Sequence, residues 1–328
     1  MKRAQYTQRG PVPQASIECV EFPDPVLGEG QVLVQVLAAP INPSDVLTLT
    51  GQYGTLPPLP AIGGNEGVGK VVAHGPGVGS PPIGQTVLLP LGVGTWATHV
   101  VGDSRRLMPL PNDADPLQLA MMVVNPPTAS LMLSEFVDLK PGEWVMQNAA
   151  NSGVGEYLVQ LARLRGLKTL NVVRRESAVA AVKAAGGDMV LVDGPDLDRR
   201  VAEATGQAPI RLAIDAIGGQ ATNRLAGCLA EGGTLVNYGL MSGDDCVVSP
   251  RSFIFRDVRL RGFWLALWFR RATPAQQMAM FGEIGKLIAS GQLKTRIQAT
   301  YDLPQIKDAV AAAAAGEREG KILIVPKA

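Results

Sequence analysis

Only three cysteines and two histidines occur in the 328-residue sequence, and neither set has the spacing of a metal site or a disulfide framework. Cys19, Cys228 and Cys246 lie far apart and form no C-x-x-C pair, which argues against a zinc ribbon and a disulfide-stapled fold and leaves reduced structural thiols as the simplest reading. His74 and His99 have no cysteine nearby and no histidine at i+4, so both read as structural or surface residues and no metal is expected. An excess of charge of one sign is missing too. The 30 basic residues against 29 acidic ones leave no broad field for nucleic acid or an anionic membrane. No apolar run is long enough to span a bilayer, and Met1 to Gly10 lacks the apolar core of a secretory signal and leaves little room for a transit peptide. The expectation is a soluble, cytoplasmic protein with a small-molecule partner.

What is present is organised around Trp144 to Arg175. Trp144 to Ala149 is short and apolar-rich enough for a buried strand, and the small-residue run Ala150-Asn151-Ser152-Gly153-Val154-Gly155 follows it. Leu158, Leu161, Ala162 and Leu164 then fall at helical spacing before Gly166. Backbone N–H groups at such a helix N-terminus bind an anionic pyrophosphate, and bulky side chains in the turn would hold it away. The three glycine positions of G-x-G-x-x-G are filled here by Ala150, Ser152 and Gly155, so the turn alone reads equally as an ordinary strand-to-helix connection. A second strand, Thr169 to Val173, ends in Arg174-Arg175 about 20 residues past the turn, where this fold places its ribose reader. An acidic residue there accepts from the 2′-hydroxyl of NAD, whereas arginine pairs with a 2′-phosphate. NADPH is therefore the expected cofactor, the alternative being that both arginines are solvated surface charge.

From Gln5 to about Asp113 the chain is dense in glycine and proline, with short β-branched runs at Gln31 to Leu37, Gly69 to Ala73, Thr86 to Leu89 and Ala97 to Val101. That pattern predicts a compact, partly open β-barrel with long loops. Helices are expected at Pro116 to Val124 and Thr128 to Phe136, broken by Asn125-Pro126-Pro127. Beyond Arg175, strands at Met189 to Val192, Arg211 to Ala216, Thr234 to Tyr238 and Arg259 to Trp264 alternate with helices, which predicts an α/β, doubly wound, six-stranded parallel sheet. A long helix, Pro274 to Ser290, leads to a tail with a helix at Leu303 to Ala315 and a last strand at Lys321 to Val325. The expected division is 1–114, 115–285 and 286–328, with the tail returning to the first domain because an isolated strand needs a partner sheet.

With these pieces placed, the chain resembles the zinc-independent medium-chain dehydrogenase/reductase superfamily, and within it the mitochondrial-type enoyl thioester reductases. The segments that carry the resemblance are Ile41 to Asp45, Gly51 to Gly54, Pro60 to Val68, Val124 to Ala129, Gln147 to Gly155, Asn171 to Arg174 and Leu260 to Leu265. The resemblance implies a Rossmann domain for NADPH and a GroES-like catalytic domain. In the zinc alcohol dehydrogenases of this superfamily a cysteine and a G-H-E histidine bind the metal; the corresponding stretches here are Asn42-Pro43-Ser44-Asp45 and Gly64-Asn65-Glu66, which lack both ligand types.

The resemblance also implies roles. Tyr53, at the G-x-Y-G position, is the expected proton donor, with Asn42 and Thr128 near the nicotinamide; read singly they are a loop aromatic, a turn-stabilising Asn-Pro and a helix cap. Tyr238, Met241, Phe263 and Trp264 are expected beside the nicotinamide, and Lys321 at a cofactor phosphate, though an aromatic pair at a strand end is also a common core feature and Gly-Lys before a strand a common surface turn. The expected reaction is NADPH-dependent reduction of a 2-enoyl thioester carried on CoA or acyl carrier protein. A quinone or 2-alkenal reductase on the same fold and a cofactor-binding module without turnover are the competing readings. A homodimer pairing the sheet-edge strand Arg259 to Trp264 across a two-fold is implied by the family alone.

Overall fold

Residues 1–316 and 318–327 are described by the computed structural model, and they divide into two units, Met1–Val124 with Phe281–Ala328, and Asn125–Met280. In the first unit, Gln31–Pro40 alternates buried and part-exposed side chains along most of its length, as a strand with one face on a core must. It pairs antiparallel with Val68–His74 on one side and with His99–Asp103 on the other. Thr86–Leu88 and Met108–Pro109 extend the sheet beyond Val68–His74. Lys321–Ile324 adds to it through Leu323 opposite Pro40 and Ile324 opposite Ala39, with Ile297–Tyr301 parallel to it at the far edge. A smaller sheet joins Glu18–Glu21, Lys2–Tyr6 and Ala61–Ile62. The core between them includes Val32, Val34, Val71, Val87 and Trp96 from the N-terminal part and Leu303, Ile306, Val310, Ile322 and Ile324 from the tail.

The second unit is built on a six-stranded parallel sheet. Its spatial order is Met189–Val192, Lys168–Val173, Trp144–Gln147, Ile210–Asp215, Thr234–Asn237 and Arg259–Gly262, or 3-2-1-4-5-6 in chain order. That order reverses direction between the first and fourth strands, and such a switch point opens a crevice at the carboxyl ends of the strands. Helix Gly153–Leu164 presents Leu158, Val159, Leu161 and Ala162 to the interior, and it packs against Asn125–Met132.

Several elements differ from the sequence reading. Asn125-Pro126-Pro127 opens the helix Asn125–Met132 instead of breaking one, because a proline in the first turn lacks only an N–H that would have no helical partner anyway. The preceding helix is Pro116–Leu119 alone, and the sixth strand ends at Gly262. Unit boundaries fall at 124/125 and 280/281, against 114/115 and 285/286 from the sequence. The segment after 114 is held in the first unit by side chain to backbone bonds: Gln118 exchanges two with Thr295, at 3.0 Å each, and Glu66 accepts two from Val123 and Val124.

Candidate functional site

In the first unit the site begins with Asn42. It is the N-cap of the helix Pro43–Thr50, with Pro43 in the first turn and Asp45 at the third position, where its Oδ2 accepts from the Asn42 backbone N–H at 2.7 Å. The Asn-Pro-Ser-Asp wording is a helix-start signal, so this helix was readable from the sequence; the flanking glycines and prolines masked it. Asn42 is buried. Its Nδ2 donates to Glu66 Oε1 at 2.7 Å, and its Oδ1 accepts from the ammonium of Lys321. Glu66 Oε2 accepts from the N–H groups of Val123 and Val124, both at 2.9 Å. Burial pushes the Glu66 carboxyl well above the usual carboxylate range, against the lowering effect of the Lys321 ammonium, and burial lowers Lys321. Burial also pushes Asp45 up to about 6, while the Asn42 and Asn65 hydrogen bonds and Lys321 hold it down. Lys321 is thus 5% exposed, with its ammonium directed at Asn42 and the Ile41 carbonyl instead of at solvent, where a phosphate would reach it.

The same helix ends at Gly51, whose φ of 79° is the left-handed cap that glycine adopts without strain. Gln52 donates its N–H to the Leu47 carbonyl at 2.8 Å, and half-buried Tyr53 is the next residue. A catalytic zinc does not fit this end of the unit. Asn65 donates its amide to Asp45 Oδ1 at 2.7 Å, so the stretches that correspond to metal ligands hydrogen-bond to each other. Among the described residues, no three His, Cys, Asp or Glu side chains gather in a way that could hold a metal ion.

In the second unit the turn after Gln147 leads into a helix N-terminus closely packed by small residues. Ser152 caps helix Gly153–Leu164, its Oγ accepting from the Gly155 N–H at 3.1 Å, and a Cβ on Gly155 would sit 2.5 Å from the Ala150 carbonyl oxygen. Buried amides brace the turn from beneath: Gln147 Nε2 donates to the Gly155 carbonyl at 3.1 Å and to Asn171 Oδ1 at 2.8 Å. Asn148 donates to Asp215 Oδ1 at 2.6 Å, and that carboxylate also accepts from the Ile217 and Gly218 N–H groups and from Thr222 and Asn237. Polar side chains at the ends of the first, second, fourth and fifth strands thereby set the backbone of the crevice. Asn151 lies in the turn, and Gly153 and Val154 open the helix.

Arg174 lines a cavity of about 310 Å³ together with Asn148, Asp193, Gly218, Gly219, Arg224, Ser242 and Asp244. Asp193 and Arg224 form a two-point ion pair there. The sequence reading did not single out this pair; Asp193 follows the third strand at its carboxyl end, which is a usable signal, but Arg224 carries none. Arg175 diverges from Arg174, donating from Nε to Ser177 Oγ at 3.0 Å.

Other expected residues sit as follows. Thr128 is buried inside helix Asn125–Met132 and is not its cap. Tyr238 hydrogen-bonds with Ser152 at the turn, and burial raises its phenol. Met241 is 61% exposed in the loop after the fifth strand. Phe263 packs edge-on against Phe136 with ring centres 6.1 Å apart, and Trp264 lies under the guanidinium of Arg270, 5.0 Å from its ring centre. Neither lines the cavity at Arg174.

Comparison with known proteins adds to these observations. Residues 28–112 match the family described as the alcohol dehydrogenase GroES-like domain, and residues 153–281 match the zinc-binding dehydrogenase family. The chain is 40% identical over 272 residues to the mitochondrial enoyl-[acyl-carrier-protein] reductase of Caenorhabditis elegans, covering 80% of this chain and 77% of that protein. Two solved structures cover 99% of this chain and 99% of their own. A putative NADPH:quinone reductase from Bacillus thuringiensis has TM-score 0.89 and 30% identity, and the Etr1p complex with NADP and crotonyl-CoA has TM-score 0.86 and 27% identity. The relatives from Rattus norvegicus, Homo sapiens and Arabidopsis thaliana carry the same mitochondrial name as the nematode one, which overturns the cytoplasmic expectation. That expectation rested on reduced thiols and on the wording of Met1 to Gly10; thiols report a reducing environment and do not separate one reducing compartment from another.

Proposed function

Because the chain belongs to the medium-chain dehydrogenase/reductase superfamily, and within it to the family of the mitochondrial enoyl-[acyl-carrier-protein] reductases, we propose that it reduces the C2–C3 double bond of 2-enoyl thioesters with NADPH. The observation that carries this reading is the donor set at the head of helix Pro43–Thr50. Asp45 and Asn65 are bonded to one another where a dehydrogenase of alcohols needs metal ligands, and a phenol, Tyr53, stands past the helix end. Enoyl reduction needs no Lewis acid, only an acid for one carbon and donors for one oxygen.

NADPH, when bound, supplies the hydride that adds to the β carbon. The pair of electrons from the double bond then rests largely on the thioester oxygen as an enolate. Tyr53 donates its hydroxyl proton to the α carbon, which restores the thioester carbonyl, and the phenolate recovers a proton from solvent. For the cofactor, the N–H groups of the Ser152–Gly155 turn hold the pyrophosphate and Arg174 pairs with the 2′-phosphate. Asn151, Gly153 and Val154 complete the turn. Tyr238 braces the turn through its hydrogen bond with Ser152. The carrier is CoA or acyl carrier protein. The exposed strand Arg259–Gly262, at one edge of the parallel sheet, supports a homodimer that pairs this edge.

The test is NADPH oxidation with 2-enoyl-CoA, 2-enoyl-acyl carrier protein, small quinones and free 2-alkenals. A clear preference for quinones would sink the thioester reading and favour the second one, which the likeness to the Bacillus thuringiensis structure supports. NADPH binding without reduction of any acceptor would leave a module without turnover. Tyr53→Phe is expected to lower kcat by about 10²-fold or more with a 2-enoyl thioester. An unchanged rate removes the phenol from the mechanism.

A further inference from the structure

We propose that Lys321 and Glu66 are positioning residues for the protonation step: with Asn42 between them they form a buried ammonium–amide–carboxylate chain that fixes the helix leading to Tyr53. This rests on the reading of Tyr53 as the acid. Every link is buried. Lys321 donates to Asn42 Oδ1, Asn42 Nδ2 donates to Glu66 Oε1 at 2.7 Å, and Glu66 is 0% exposed with its second oxygen held by two backbone N–H groups.

The chain has a direction that neither end can reverse. An ammonium only donates and a carboxylate only accepts, so Asn42 must turn its oxygen to Lys321 and its nitrogen to Glu66. Asn42 caps the helix, its backbone N–H is tied to Asp45, and Asp45 is tied to Asn65. The charged groups facing the ammonium are Glu66, Asp45 and Arg318. The opposite end of the helix is followed at once by Gly51, Gln52 and Tyr53. Eight residues of helix span roughly 12 Å, and a short rigid rod transmits a tilt at its head to the phenol beyond its foot. Lys321 opens a strand locked to the main sheet, so the anchor is the sheet itself.

The test uses two variants that break the chain at different links. Lys321→Met with Glu66→Gln removes both charges together, so no lone charge is left buried. Asn42→Ala removes the amide between them. For each, with and without Tyr53→Phe, kcat and KM for a 2-enoyl-CoA, NADPH affinity by fluorescence and the thermal midpoint are measured. The expected result is a kcat at least tenfold lower with NADPH affinity within twofold of wild type. In the Tyr53→Phe background the same substitutions should change kcat less than twofold, because a misplaced phenol and a missing one cost the same step. Lys321→Arg should recover most of the loss. A folded chain-breaking variant with kcat within twofold of wild type, or an equal tenfold fall whether or not Tyr53 is present, overturns the proposal. Wild-type kcat for Tyr53→Phe removes the acid assignment and this proposal with it, whereas a lowered kcat for Tyr53→Phe beside a wild-type kcat for the folded chain-breaking variants overturns this proposal alone, which separates the two failures. Should the neutral pair not fold, Asn42→Ala decides by the same criteria.

Discussion

Replacing Gly155 by alanine is a demanding test of the cofactor turn, because the three nearest atoms its Cβ would meet are all backbone of Ala150. The new Cβ would lie 2.5, 2.7 and 2.8 Å from the carbonyl oxygen, carbonyl carbon and Cα of Ala150. Ordinary contact starts at 3.4 Å, so the turn must open by about 0.9 Å, and no flexible side chain is there to give way. Such overpacking costs about 1–3 kcal/mol, from which the better helix propensity of alanine returns up to about 1 kcal/mol. Net stability should therefore fall by no more than about 3 kcal/mol and the protein should still fold. Ligand binding should suffer more, because the N–H groups that would hold the pyrophosphate move with the turn. A Kd for NADPH at least tenfold weaker, about 1.4 kcal/mol, is expected by fluorescence titration. Gly282→Ala is the control: nothing lies within 4 Å of its added Cβ, so it should leave the Kd unchanged and stabilise its helix by about 0.5–1 kcal/mol. Gly155→Ala with wild-type NADPH affinity would refute the assignment of this turn.

The two arginines should separate. Arg174→Ala, which removes a cavity-lining cation, should weaken NADPH about 10–100-fold and NADH little, as expected for a charge-assisted bond of about 1.5–3 kcal/mol; Arg175→Ala should change the NADPH-to-NADH ratio less than threefold, and steady-state KM for both cofactors checks this. Asp45 should give the stability curve a falling limb in acid. Its pKa is raised from 3.8 to about 6, so across that window the folded chain keeps a proton that the unfolded chain has released, and stability drops as pH rises through it by up to about 3 kcal/mol. Denaturant unfolding of Asp45→Asn at intervals across that window should show a flatter dependence; an unchanged slope would mean that another group titrates there.

The parallel sheet was legible because its information is local. Met189–Val192 came out of the sequence with the bounds the structure has, since four β-branched or long apolar residues between turn residues leave little choice. Its neighbours shifted by a residue or two. Elements governed by their ends were harder. Asn125-Pro126-Pro127 has the same composition whether it ends a helix or starts one, and the difference lies in what satisfies the flanking N–H groups, here Glu66 from 57 and 58 residues away. Leu265–Arg271 is apolar at its first five positions and none of its residues is buried, so no polar face alternates with an apolar one to mark a helical period.

The site divides along the same line. Gly155, Ser152 and Arg174 were readable because a turn and the strand after it are contiguous in the chain. The partners of Asn42 were not. Lys321 lies 279 positions away and meets it only because the last strand enters the sheet beside Pro40, and Glu66 arrives from a loop between strands. A lysine after a glycine at the start of a strand reads as a surface turn, and only the strand order turns that ammonium inward. Once it is inward, its charge obliges a carboxylate to be near, and the orientation of the amide between them is determined by which group donates and which accepts. The arrangement at this end of the protein therefore follows from the topology of the sheet, which places the cation, and from the helix start, which places the amide that the cation orients.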